Sequence, residues 1–161
     1  MSDIHEQLRA LLDQEGATYR VIEHEPEGRT EVIARIRGNR IEQSIKSMVL
    51  QVRLTRKENM YCLANVPGNC RIDLDGVTKY FNADSVAFAK REKAQELTGC
   101  VIGSIPPFSF NDQLQLLADP LIQENDEVVF NAGRLDRSIT MKLSDYLRIA
   151  RPQLIPIAQR G

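Results

Sequence analysis

Tryptophan is absent from the chain, histidine occurs only as His5 and His24, and aromatic residues make up 6% of the sequence. Any Ser-His or Cys-His mechanism must recruit one of two imidazoles, and neither stands near a recognisable nucleophile motif. GxSxG, HExxH, Walker and GxGxxG patterns are all missing, which argues against the common serine hydrolases, zinc proteases and nucleotide-binding enzymes. No uncharged apolar run approaches the roughly 20 residues needed to cross a bilayer. The first twenty residues carry charges throughout and do not read as a signal peptide. A soluble, cytoplasmic protein with no membrane partner is expected. Cys62, Cys70 and Cys100 are odd in number and widely spaced, with no CxxC and no Cys/His cluster. They are expected to be reduced thiols acting as small apolar residues, with no metal and no cofactor.

A surplus of basic side chains is also lacking. The 21 Lys and Arg residues against 22 Asp and Glu give a net charge of −1, whereas polyanion binders usually carry an excess of Lys and Arg. The average conceals a local bias, because residues 29–57 hold Arg29, Arg35, Arg37, Arg40, Lys46, Arg53, Arg56 and Lys57 against only Glu31 and Glu42. That stretch can form a face that approaches a polyanion, or an ordinary solvated surface. The remaining composition, 42% hydrophobic and 27% charged, is that of a globular chain. A length of 161 residues fits one domain over 1–161.

Asp3 can cap a first helix whose apolar positions Ile4, Leu8, Leu11 and Leu12 share a face, with Gly16 as its stop. Tyr19–Glu23 alternates as a short strand and leads into the loop His24-Glu25-Pro26-Glu27-Gly28. Thr30 then caps a short helix through about Ile36. Residues 45–54 read as a strand with Lys46, Met48, Leu50 and Leu54 on one side. A polar turn and a return strand over 60–66 complete a hairpin. Helices are expected over 73–81 and 90–97, the second ending at Gly99, with a short strand at Ser85–Phe88 between them. Strands at Leu114–Ala118, 127–131 and 138–142 follow, with Asn131-Ala132-Gly133 as turn punctuation, and a last helix over 144–150 is limited by Pro152. Such irregular interleaving predicts a mixed α/β fold, a mostly antiparallel, barrel-like sheet with surrounding helices.

The least ordinary segment is Gly99-Cys100-Val101-Ile102-Gly103-Ser104-Ile105-Pro106-Pro107-Phe108-Ser109-Phe110. Gly103 permits backbone angles and close approaches that other residues do not, while Pro106 and Pro107 stiffen the exit and remove two donors. A loop of this kind can present amides to a carbonyl oxygen, a phosphate or a terminal nucleotide, with Phe108 or Phe110 stacking on a base. It can equally be a structural crossover whose aromatics are core. Lys46 opens an apolar strand among Ile45, Ser47, Met48 and Val49. Partly buried, its ammonium can fix a phosphate or carboxylate, stabilise an oxyanion or act as a base; a lysine reaching solvent from a strand end is the plain alternative. Asn131-Ala132-Gly133-Arg134-Leu135-Asp136 offers neutral hydrogen bonds and a carboxylate for an amine, or is a simple hairpin turn.

Taken in order, the His24 loop, Ile45-Lys46-Ser47-Met48-Val49, Leu97-Thr98-Gly99-Cys100-Val101-Ile102-Gly103-Ser104-Ile105-Pro106-Pro107-Phe108, and Asn131-Ala132-Gly133 followed by Ser138 resemble the YbaK-like aminoacyl-tRNA deacylases. These are relatives of the editing insert of bacterial prolyl-tRNA synthetase. Each motif is weak alone; their order and spacing over nearly the whole chain carry the resemblance, which is nearest to the free-standing branch. It implies an editing-domain-like α/β fold and a trans-editing hydrolase that cleaves the aminoacyl ester at the 3′ end of mischarged tRNA. Lys46 matches the family's essential lysine and would align the ester through the phosphate or terminal ribose. Gly103, Ser104, Ile105, Pro106 and Pro107 match the loop whose backbone confines the aminoacyl group and helps place water. Tyr19, His24, Asn131, Ala132, Gly133 and Asp136 complete the expected substrate-binding set.

Several relatives carry a histidine just after the glycine turn, where this chain has Arg134, Leu135 and Asp136. Amino-acid specificity is therefore not carried over; Ser104 and Asp136 are expected to favour small or hydroxylated amino acids. Aminoacyl-tRNA is the implied partner, an aminoacyl-tRNA synthetase is a second candidate, and DNA is not expected. A competing expectation is a non-catalytic module that binds tRNA ends or a partner protein through the basic 29–57 segment. Hydrolysis of a small acyl ester without tRNA is a third.

Overall fold

Residues 3–160 are described in the computed structural model of the chain. The Asp3 carboxylate accepts from the Glu6 amide at 2.9 Å and caps α1 (Ile4–Gln14). Leu8 and Leu12 of that helix are fully buried, as their spacing on one face requires. β1 (Tyr19–Glu23) and α2 (Thr30–Arg37) follow. β2 (Ile45–Arg53) and β3 (Asn59–Pro67) form the long hairpin, in register from Ile45 opposite Pro67 to Arg53 opposite Asn59. Then come β4 (Cys70–Ile72), α3 (Leu74–Phe81), β5 (Ser85–Phe88), α4 (Arg91–Thr98), β6 (Leu114–Ala118), β7 (Glu127–Arg134), β8 (Arg137–Lys142), α5 (Leu143–Ala150), β9 (Gln153–Leu154) and β10 (Ala158–Arg160).

The main sheet runs in the order β5-β2-β3-β6-β9, a second sheet in the order β1-β8-β7, and β10 pairs with β4. Pairing is antiparallel except for β3 with β6 and β6 with β9. The fold is thus mixed α/β and mostly antiparallel, but the expected barrel-like closure is not formed. The rim strands β5 and β9 have four and two residues, too short to supply the staggered ladder that a closed barrel needs. The two larger sheets meet instead at an isolated bridge between Ser44 and Val129.

Apolar side chains fill three clusters. One packs α1, the β1-β8-β7 sheet and α5 around Leu12, Phe130, Ile139 and Tyr146. A second covers one face of the main sheet with Leu50, Cys62, Val77, Leu117 and Ile157. The third covers the other face with Val49, Leu63, Ala94, Leu97, Cys100 and Ile105. The C-terminal segment is fastened by the buried Asp119, whose carboxylate accepts from the Ile157 and Ala158 amides at 2.8 and 2.7 Å.

One expected turn is in fact a strand feature. Asn131-Ala132-Gly133 lies inside β7, where the register with β8 shifts between Asn131 and Arg134. Gly133 has φ +86° and sends its amide to Ser104 O at 2.8 Å, so the strand bulges towards the Gly103 loop. A Cβ at Gly133 would lie 2.8 Å from the His5 backbone nitrogen, which is why the crossing of α1 over β7 needs glycine there.

Candidate functional site

The start of β2, the end of α2, the 24–28 loop and the Gly103 loop converge on a cleft of about 50 Å³. Its lining includes Thr30, Arg37, Ser44, Lys46, Ser47, Gly103, Ile105 and Asn131, and contains no Asp or Glu. Lys46 is half-buried, and among the described residues no carboxylate lies within ion-pair reach of it or of Arg37. The cleft is therefore cationic, a setting that favours an anionic or electron-rich ligand.

The Gly103 loop is set by a turn in which the Ser104 amide donates to Val101 O at 3.1 Å and Gly103 takes φ +92°, a value for which glycine is the natural residue. A Cβ at Gly103 would approach Gly28 Cα to 2.9 Å, so the two loops touch backbone to backbone. Among the described residues the Gly103 and Ile105 amide N–H groups have no acceptor. They are two free donors in the wall of the cleft, the arrangement that an oxyanion or a positioned water can use.

Arg37 organises the opposite wall. Its Nε donates to Asn39 Oδ1 at 3.1 Å, its Nη1 to Asn131 Oδ1 at 3.2 Å and Ser138 Oγ at 2.9 Å, and its Nη2 to Ser44 Oγ at 3.0 Å. Burial pushes the guanidinium down to about 10, which still leaves it charged at neutral pH. Asn131 relays this order: with its oxygen accepting from Arg37 and Ser138, its Nδ2 donates to Gly103 O at 2.7 Å and Glu27 O at 3.1 Å. One amide thus ties β7 to both loops. His24 Nε2 lies 2.7 Å from Ser138 Oγ, and its Nδ1 lies 2.8 Å from Glu25 O. Ser138 is fully buried, so this Ser-His contact supports the wall and offers no accessible nucleophile.

The expected residues are distributed as follows. Lys46, Gly103, Ile105 and Asn131 line the cleft. Ser104, Pro106, Pro107, Ala132 and Gly133 stand behind or beside it. Ser104 Oγ donates to Val101 O at 2.8 Å, Pro107 O accepts from Tyr146 Oη at 2.8 Å, and Ala132 O accepts from His5 Nδ1 at 2.7 Å. His24 reaches the site only through Ser138. Tyr19 and Asp136 are not brought to the cleft: the Tyr19 hydroxyl donates to Asp13 at 2.7 Å, and the Asp136 carboxylate pairs with Arg137 at 3.1 Å in the β7–β8 turn.

Arg37, Ser44 and Ser47 line the cleft and were not singled out from the sequence; Asn65 stands behind it, its Oδ1 accepting from Ser47 Oγ at 2.6 Å. For Arg37 a signal existed. On α2 it falls on the face of the buried Ile33 and Ala34, while the neighbouring Ile36 is 48% exposed; a basic residue on the apolar stripe of a short helix marks an inward charge.

A second, apolar groove of about 300 Å³ adjoins the cleft and shares Ser47, Gly103 and Ile105 with it; Met48, Val49, Phe88, Ala94 and Ile102 complete most of its wall. Phe88 and Ile102 are 52% and 48% exposed, more open apolar surface than scattered single side chains present.

Comparison with known proteins agrees with this architecture. The model of the aminoacyl-tRNA editing domain family matches residues 24–149, a span that holds the cleft. The chain is 43% identical over 152 residues, 94% of its own length and 90% of the relative's, to the multifunctional Ser/Thr-tRNA deacylase ProXp-y of Escherichia coli K12. Among solved structures it is similar to a candidate trans-editing enzyme for prolyl-tRNA synthetase, with TM-score 0.79 and 24% identity over 99% of both chains. It is also similar to the hypothetical protein APE2540, with TM-score 0.85 and 16% identity over 95% of this chain and 99% of that one. At these identities the two structures bear on the fold. On the family match and the curated relative together, this chain belongs to the aminoacyl-tRNA editing domain family.

Proposed function

We propose that the chain, as one domain over residues 1–161, is a trans-editing hydrolase that releases wrongly attached amino acids by cleaving the aminoacyl ester at the 3′ end of tRNA. The observation that carries this reading is the pairing of an uncompensated Lys46 with the free Gly103 and Ile105 amides across one small cleft. Lys46 holds the terminal phosphate or ribose and so aligns the ester. The two amides meet the oxygen on which negative charge grows as water attacks the ester carbonyl. The aminoacyl side chain enters the polar cleft, whose small volume suits a small or hydroxylated amino acid, and seryl and threonyl esters are the first candidates because the Escherichia coli relative bears that name. The terminal base lies in the apolar groove against Phe88 and Ile102. The site of action is the cytoplasm, where aminoacyl-tRNA is used, and a synthetase is the candidate protein partner.

Release of amino acid from seryl-, threonyl- and alanyl-tRNA tests the reading. Turnover without added metal is expected, and Lys46→Ala should lower it about 100-fold or more while circular dichroism and thermal midpoint stay near those of the parent. Full activity in that variant removes Lys46 from the site. Salt-sensitive tRNA binding without turnover in the parent would replace hydrolysis with a binding role.

A further inference from the structure

Among the described residues, Arg91 is the one charged side chain in the wall of the apolar groove. Two local features put it there. The Ala89 amide donates to Val49 O at 2.9 Å, which carries the antiparallel register of β2 with β5 one step further. Lys90 keeps the chain extended, with φ −62° and ψ 148°. The chain therefore runs back toward the level of Ser47, the side chain that the groove shares with the cleft. Ala89 and Arg91 line the groove and the intervening Lys90 does not, as alternation along an extended segment requires. Arg91 also opens α4 one turn before the buried Ala94 and two before the buried Leu97. It thus stands on the stripe that packs on the sheet, with its stem along apolar surface and its exposed guanidinium at the rim.

Nothing in the fold claims this charge. Among the described residues no carboxylate lies within ion-pair reach of Arg91, the adjacent Glu92 included. Other surface cations are compensated: Lys93 pairs with Glu96, Arg134 with Asp3, Arg148 with Asp145 and Arg160 with Glu124. The groove lining, like that of the cleft, contains no Asp or Glu.

We infer that Arg91 is a contact for a backbone phosphate of the unpaired 3′ strand of tRNA, additional to the group that Lys46 holds. The ligand rests on the deacylase reading above. With the aminoacyl group in the cleft and the terminal base in the groove, the ribose lies at the shared residues Ser47, Gly103 and Ile105. The strand then leaves over the rim at the level of Ser47, where Arg91 supplies the complementary charge. A guanidinium suits this place, because its planar fork meets two phosphate oxygens while its stem covers the groove edge. Such a contact fixes register and carries no sequence information, so it serves every tRNA alike.

The test is equilibrium binding of uncharged tRNA over a range of salt concentrations. Arg91→Ala should weaken binding about 5-fold near 0.1 M salt and lower the slope of log Kd against log salt by about 0.7, the value for one phosphate on a single strand. Lys90→Ala removes the same charge one residue away, outside the groove wall, and should change the slope less than half as much. Equal losses in the two variants would make Arg91 part of a diffuse field and overturn the inference. On tRNA trimmed of its unpaired 3′ nucleotides, Arg91→Ala and the parent should bind alike; a loss that persists there places Arg91 on the stem and also overturns it. A neutral methylphosphonate at one of the last two linkages should cost the parent about 5-fold and Arg91→Ala less than about 2-fold. If neither linkage matters to the parent, the inference fails with no change to the protein, and a variant that folds poorly does not protect it. All of these are binding measurements. A parent protein that binds as expected but releases no amino acid from any aminoacyl-tRNA overturns the hydrolase reading alone.

Discussion

The polar cleft and the apolar groove beside it share Ser47, Gly103 and Ile105, yet they are ordered by different physics. On the cleft side, one half-buried cation spends four N–H bonds on Asn39, Asn131, Ser138 and Ser44, and each acceptor is left with a fixed polarity for its next contact. On the groove side, Met48, Val49, Phe88, Ala94 and Ile102 present shape and apolar area, and Arg91 is the one charged side chain in the wall among the described residues. The cleft can therefore tell one functional group from another. The groove can hold a flat ring but reads little of its identity, since stacking depends weakly on sequence. The contrast fits an enzyme that must recognise the amino acid chemically while holding a terminal nucleotide common to every tRNA.

Removing the cation should break the comparison most deeply. Arg37→Met takes donors from Asn131, Ser138 and Ser44 at once, and a destabilisation of about 1–3 kcal/mol is expected in urea unfolding, together with a loss of deacylation of about 10-fold or more. Arg37→Lys should recover little of it, because an ammonium lacks the planar fork that serves these acceptors together. Near-parental activity in Arg37→Lys would mean that charge alone matters on this wall.

A smaller effect is expected on the groove side. Phe88→Ala removes a half-exposed ring, so unfolding free energy should shift by no more than about 0.5 kcal/mol. KM for aminoacyl-tRNA should rise about 5-fold with kcat nearly unchanged, the signature of lost binding made equally in ground and transition states. A fall in kcat without a change in KM would move Phe88 out of the nucleotide groove.

The effect smallest on activity concerns pH and stability. Cys100 lies in the cluster beneath the groove, where burial pushes its thiol up from 9.0 to about 11. The folded protein keeps this proton while the unfolded chain releases it near 9, so the folded state binds more protons over that interval. The thiol's contribution is complete below pH 9 and is lost as pH rises toward about 11. Stability measured by urea unfolding should decline across that window, and Cys100→Ala should flatten the decline. An unchanged slope in the variant would assign the alkaline loss to other groups.

Much of the secondary structure was legible along the chain. Asp3 caps α1, Asp73 caps α3 by accepting from Gly76 N at 3.0 Å, and Gly99 closes α4 with φ +71°; each depends on neighbours within a few residues. The β2–β3 hairpin followed from alternation and a polar turn. β4, β9 and β10 were not legible, because two or three residues show no period and exist only by pairing with distant partners. Asn131-Ala132-Gly133 misled for a related reason: the glycine that ordinarily marks a turn serves a bulge whose need arises from α1, α1 itself lying more than a hundred residues earlier in the chain.

For the site, the sequence by itself determined that Lys46 stands at a strand start and that the Gly103 loop is stiff and sharply turned, since strand period, glycine and proline act locally. The tertiary structure decided which side chains share a cleft, and above all which way each hydroxyl and amide can donate. Arg37, Asn39, Ser44, Asn131 and Ser138 come from α2 and its exit, the entry to β2, β7 and β8. The polarity of a serine hydroxyl is not a property of serine. It is fixed by the partners that occupy its other positions, and those partners meet only when the chain is folded.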